Sequence, residues 1–117
     1  MKPIIEELTN RGCNMEETMA RFLDNEDFYE ECLVEMLGDA EFENLGKAIE
    51  SNNVKDGFAS AHTLKGVIAN MGITPMYETV CRIVEPFRAG NEDGVAEAYK
   101  ELLEEREEYR ELIAKLC

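Results

Sequence analysis

The sequence has no tryptophan, only three prolines and a single histidine, and its 12 basic residues are outnumbered by 26 acidic ones. A net charge of −14 repels a polyanion and weighs against nucleic acid as a partner. The four cysteines, Cys13, Cys32, Cys81 and Cys117, form no CxxC pair. They indicate neither a zinc site nor a redox pair, and read as buried or fraying thiols in a reducing compartment. No apolar run approaches the roughly 20 residues needed to cross a bilayer, and the N-terminus lacks a basic-then-apolar leader. A soluble, cytoplasmic protein with no membrane partner is the expectation. No stretch alternates apolar and polar residues, and Asp56-Gly57 and Asp93-Gly94 sit in helix starts rather than between β-branched runs, so no sheet is predicted. P-loop and dinucleotide glycine patterns are absent as well.

What remains is helical periodicity in a chain of 117 residues, 44% of them hydrophobic, a size that suits one domain around one core. Ile4, Ile5 and Leu8 predict a short amphipathic helix stopping near Gly12. Asn14 with Glu17 resembles a capping box ahead of Met15, Met19, Phe22 and Leu23. Asp24 or Asn25 can cap the next helix, whose apolar side is Phe28, Tyr29, Cys32, Leu33, Met36 and Leu37, with Gly38 ending or bending it. Phe42, Leu45, Ala48 and Ile49 lead to a break at Ser51-Asn52-Asn53. The stretch from Val54 to Gly72 follows as a helix, with Gly72 just past its end. Thr74 as N-cap and Pro75 at the first helical position open another, which reaches Gly90 with a kink or early end expected at Pro86. Asn91 is expected to cap the last helix. There Val95, Tyr99, Leu102, Tyr109, Ile113 and Leu116 form a seam, Arg106 fills the one missing position, and Glu107–Arg110 and Glu111–Lys115 are favourable pairs. Short connections between these helices favour an all-α, up-and-down antiparallel four-helix bundle with additional N-terminal helices. Residues 1–117 then form a single domain, with accessory helices over about 1–25 and the bundle over about 26–117. An initiating Met and a long final helix point to a chain that stands alone, and a monomer is expected.

The stretch from Val54 to Gly72 organises the rest, because it holds His62. Asn53 caps it and Gly72 stands where a left-handed C′ residue is wanted. At about 100° per residue, Gly57, Ala61, Leu64, Val67, Ile68 and Met71 fall on one apolar stripe. His62 points the opposite way, with Lys55, Phe58, Lys65, Gly66 and Ala69 within about 60° of it. A core histidine would share the stripe. An incidental surface histidine would have the carboxylates that crowd the rest of the chain, yet no acidic residue lies between Gly57 and Tyr77.

An exposed imidazole without a carboxylate partner does not make a catalytic dyad, and one without a second imidazole or thiolate does not make a metal site. It can be a nucleophile toward phosphorus, since imidazole, with an ordinary pKa of about 6.5, offers a neutral nitrogen near neutral pH. Lys65, at i+3, can place an ammonium beside phosphoryl oxygens, although an ordinary surface lysine reads the same way. Gly66, at i+4, costs about 1 kcal/mol relative to alanine inside a helix; close helix packing is one reason for it, and access to His62 is the favoured one. Phe58 and Ala69 form a small apolar patch suited to docking a partner.

Ala61-His62-Thr63-Leu64-Lys65-Gly66, followed by Ala69-Asn70-Met71-Gly72, resembles the signature of histidine-containing phosphotransfer (HPt) domains: a small residue, His, any residue, Leu, Lys, Gly, then a Gly near the helix end. The resemblance covers most of the chain and implies a four-helix bundle acting as a phosphocarrier in two-component phosphorelays. It implies that His62 is phosphorylated, with Lys65 stabilising the phosphoryl group and Gly66, Phe58, Ala69 and Lys55 at the docking surface. The implied partners are response-regulator receiver domains and a sensor or hybrid histidine kinase, with Mg²⁺ carried by the receiver and no cofactor, nucleotide or kinase activity in this chain. Two rival readings are a helical adaptor that binds a signalling partner through the same face without chemistry, and a metal-dependent helical-bundle enzyme.

Overall fold

Seven helices and no strand make up the computed structural model, which describes residues 1–117. They are α1 (Pro3–Asn10), α2 (Met15–Arg21), α3 (Glu26–Leu37), α4 (Glu41–Glu50), α5 (Val54–Met71), α6 (Thr74–Arg88) and α7 (Val95–Leu116). Asparagines open three of them in the same way. The side-chain oxygens of Asn14, Asn25 and Asn53 accept the backbone N–H of Glu17, Phe28 and Asp56 at 3.1, 3.0 and 3.0 Å, satisfying donors the first helical turn leaves free. Gly38 ends α3, and Asp39 receives the Glu41 N–H at 2.8 Å where α4 restarts.

The helices form a bundle around one contiguous core of 27 buried residues. Tyr29 and Leu33 of α3, Phe42 and Leu45 of α4, Leu64 and Ile68 of α5, Val80 and Ile83 of α6 and Leu102 of α7 are fully buried. Ile4, Ile5 and Leu8 of α1 and Met15 and Met19 of α2 join the same cluster, so the N-terminal helices are packed into the body and do not hang from it. Residue pairings set the directions of the long helices. The Tyr99 hydroxyl donates to the Phe42 carbonyl at 2.8 Å and Arg110 to that of Leu37 at 3.0 Å, so α7 runs against α3 and α4. The Phe87 ring lies over Gly57 and Lys65 over Tyr77, so α6 runs against α5. Arg106 fills its seam position as expected: its guanidinium lies 4.6 Å from the Phe42 ring centre and 3.2 Å from Glu43.

Several expectations need correction. Leu23 is not part of the core; it is 89% exposed, because α2 ends in a chain reversal with Leu23 and Asp24 at φ +55° and +58°, which turns the side chain outward. Phe28 is half exposed, resting on Phe22 with ring centres 5.8 Å apart. Thr74 is the first helical residue and not the cap, with Pro75 second; no side chain caps α6. Asn91 does not cap α7 either. Its oxygen takes the Asp93 N–H in a local turn, and Gly94, at φ +71°, precedes the helix instead. Pro86 does not end α6, which runs on to Arg88; with only two helical residues after it, little helix remains to be disturbed. Glu107–Arg110 is an ion pair at 3.8 Å, whereas Glu111–Lys115 forms none. No helix is long and apolar enough to cross a membrane.

Candidate functional site

α5 is built to hold one face inward and one outward. Gly57, Ser60, Ala61, Leu64, Ile68 and Met71 are buried, Val67 is half-buried, and His62 is exposed on the opposite side. Both ends of the helix are tied down. Asn53 caps the start, and Gly72 closes the end at φ +71°. A Cβ on Gly72 would lie 2.0 Å from the Thr18 hydroxyl, so α2 presses directly on the closure. The Tyr29 hydroxyl donates to the Met71 carbonyl at 2.7 Å, and Arg21 donates to the Ala69 and Asn70 carbonyls at 3.2 and 3.0 Å. These bonds satisfy acceptors a helix C-terminus leaves open and place a cation where the helix dipole favours one.

Around His62 the structure gathers the residues that the spacing singles out. The Phe58 ring sits one turn before, 5.5 Å from the imidazole and tilted by 34°; it is half-buried, a smaller exposed patch than expected. Lys65 is half-buried, with its ammonium 6.0 Å from the Tyr77 ring centre, a cation–π distance that steers the chain toward α6. Ala69 and Lys55 are exposed on the same side. Gly66 separates the two explanations offered for it: a Cβ there would meet nothing within 4 Å, so no neighbour requires its absence. Gly57 is the opposite case, since a Cβ would come within 2.6 Å of the Phe87 ring. The site is thus a solvent-facing surface with an opening beside the imidazole. An open groove of about 430 Å³ between α4 and α5, lined by Lys47, Ser51, Asp56 and Ser60 among others, does not include His62. No three His, Cys, Asp or Glu side chains stand close enough together to hold a metal ion.

The sequence missed three contributors, all from other helices. Arg88, on the last turn of α6, lies 5.4 Å from the Phe58 ring centre. Tyr77 backs Lys65, and Arg21 of α2 holds the end of α5. No local spacing links them to His62; only the antiparallel register of α5 and α6 and the docking of α2 do.

Comparison with the curated proteins and with the solved structures found no match. The family model of the Hpt domain does match, over residues 26–115, from the first residue of α3 almost to the end of α7. Hpt domains carry out histidine phosphotransfer in two-component signalling and interact there with receiver domains and kinases, and with most of its length matched the chain belongs to the Hpt domain family.

Proposed function

We propose that the chain is a phosphocarrier: His62 accepts a phosphoryl group from the phospho-aspartate of one receiver domain and passes it to another. The observation that carries this reading is the placement of His62, exposed on a helix fixed at both ends, free of carboxylate partners and beside a glycine with open space over it. In the transfer a neutral imidazole nitrogen attacks phosphorus. The N–P bond forms as the P–O bond to the aspartyl carboxylate breaks, and the carboxylate leaves with the electron pair. The other ring nitrogen keeps its proton, so the imidazole becomes a phosphorylated imidazolium. The reverse of the same step reloads a receiver. Lys65 swings from Tyr77 to the phosphoryl oxygens, and Gly66, Phe58, Ala69 and Lys55 form the surface on which the receiver sits. Mg²⁺ belongs to the receiver; this chain uses no cofactor and has no ATP-dependent kinase activity of its own.

Residues 1–117 act as one domain whose architecture is an up-and-down antiparallel four-helix bundle. Consecutive α3 and α4 serve as its first helix, broken at Gly38, and α5, α6 and α7 as the others. The pairings of Phe42 with Tyr99, Tyr77 with Lys65 and Arg82 with Glu101 support that arrangement. The chain works as a cytoplasmic monomer between a sensor or hybrid kinase and its regulators.

Incubation with a radiolabelled, phosphorylated receiver and Mg²⁺ tests the reading. The expected result is acid-labile, base-stable label on the wild-type chain and none on His62→Gln. Receiver binding without label, across several receivers, would make the chain a docking adaptor instead.

A further inference from the structure

We propose that Arg88 is the carboxylate-binding group of the surface around His62, held ready by its cation–π contact with Phe58; this rests on the phosphocarrier reading and names how the receiver is gripped. The guanidinium lies 5.4 Å from the Phe58 ring centre, and that ring lies 5.5 Å from the imidazole. The two separations together keep the guanidinium carbon within roughly 11 Å of the imidazole centre. An arginine held against an aromatic ring has given up part of its side-chain freedom, so a forked contact made by its remaining N–H groups loses less.

Those N–H groups are free. The only ionic neighbour is Glu85 on the same helix, 3.6 Å from Nε, with both side chains about half exposed. Such a pair is weak, and it leaves both terminal amino groups without a hydrogen bond. A half-exposed planar fork one ring away from a phosphoryl-accepting imidazole matches the two coplanar oxygens of a carboxylate on a docked protein. Lys55 and Lys65, with the carboxylate-free stretch from Gly57 to Tyr77, extend the same sign of charge over the face. The rest of this strongly acidic chain would repel an acidic partner, so the cations at this face decide where it lands. The other nearby source of an oxyanion is the phosphoryl group on His62 itself, and the measurements below separate the two.

The test compares wild type, Arg88→Ala, Arg88→Lys, Phe58→Leu and the double variant Phe58→Leu with Arg88→Ala in two measurements: equilibrium binding of an unphosphorylated receiver by calorimetry, and single-turnover transfer from the phosphorylated receiver at varied concentration. For Arg88→Ala the expected result is receiver binding weakened about tenfold at low salt and a half-saturating concentration raised to match. The saturating transfer rate and the phosphohistidine lifetime should stay within about twofold, with an unchanged melting temperature. Arg88→Lys should recover part of the affinity, and Arg88→Ala should cost less binding when made in Phe58→Leu than in wild type, a coupling that a direct contact of Phe58 with the receiver would not produce. Unchanged binding in Arg88→Ala overturns the proposal. So does unchanged binding with a shortened phosphohistidine lifetime, which would move the arginine onto the phosphoryl group. Weakened binding with no transfer even by wild type would keep the grip on the receiver and sink the phosphocarrier reading alone. No binding by any of these proteins would overturn both.

Discussion

Two glycines on α5 are expected to respond in opposite directions to the same methyl group. Replacing a glycine by alanine inside a helix gains about 0.8–1 kcal/mol. At Gly66 the new Cβ meets nothing within 4 Å, so the whole gain should appear. For a domain of this size that corresponds to a melting temperature about 3–5 °C higher. At Gly57 the Cβ would stand 2.6, 2.7 and 3.1 Å from three atoms of the Phe87 ring, which is only 2% exposed and has nowhere to go. Overpacking of that kind costs about 1–3 kcal/mol and should outweigh the helical gain, so Gly57→Ala is expected to lower stability. Thermal and urea unfolding followed by circular dichroism would measure both. Gly66→Leu should likewise keep or raise stability while blocking transfer from a receiver, because a long side chain would fill the opening beside His62. A Gly66→Ala protein that melts below wild type would refute the argument, since it would mean that the position is packed against something after all.

Other consequences follow from single contacts. Lys65→Ala is expected to slow transfer or shorten the phosphohistidine lifetime by up to about fivefold, the worth of one exposed charge pair, without changing stability; an unchanged rate and lifetime would leave Lys65 a surface residue. Arg21→Ala removes both donations to the end of α5 and should cost about 1–2 kcal/mol, with amide hydrogen exchange quickening chiefly at Asn70 to Ile73. An equal change throughout the chain would contradict that local role. Burial pushes the Glu105 carboxyl up, with Glu101 and Glu108 adding to the shift, and Glu105 Oε1 is buried without a partner. A carboxyl with a raised folded pKa binds its proton more tightly when folded. Ionising it therefore costs stability above the folded value, and the cost vanishes below the ordinary value of 4.5. Glu105→Gln should therefore unfold at a higher temperature than wild type at pH 7, and the difference should close as pH falls below about 4; a difference independent of pH would reject the cause.

Helix periodicity made most of this fold readable, because every helix puts an apolar stripe on a shared core. It located α5 to the residue, and the outward direction of His62 followed from rotation alone. The errors fall where side-chain chemistry competes with backbone geometry. Leu23 has the right spacing for a core position, but a left-handed reversal turns it out. Thr74 and Asn91 are good capping residues, yet each lies away from the true boundary, one inside α6 and the other spent on a turn. At the site, the neighbours on α5 were legible as i±3 and i±4 partners of His62. Arg88, Tyr77 and Arg21 were not, since they reach it through helix pairing. The role of Gly66 was a choice between packing and access that only the space around it can decide.

The central claim is that the exposed ring of His62 carries the phosphoryl group. Tandem mass spectrometry at neutral pH, after transfer from a phosphorylated receiver, tests it most directly. Phosphate localised to His62, and returned when a second, unphosphorylated receiver is added, is the predicted result. Phosphate on any other residue, or a His62→Gln chain that becomes phosphorylated equally well, would contradict it.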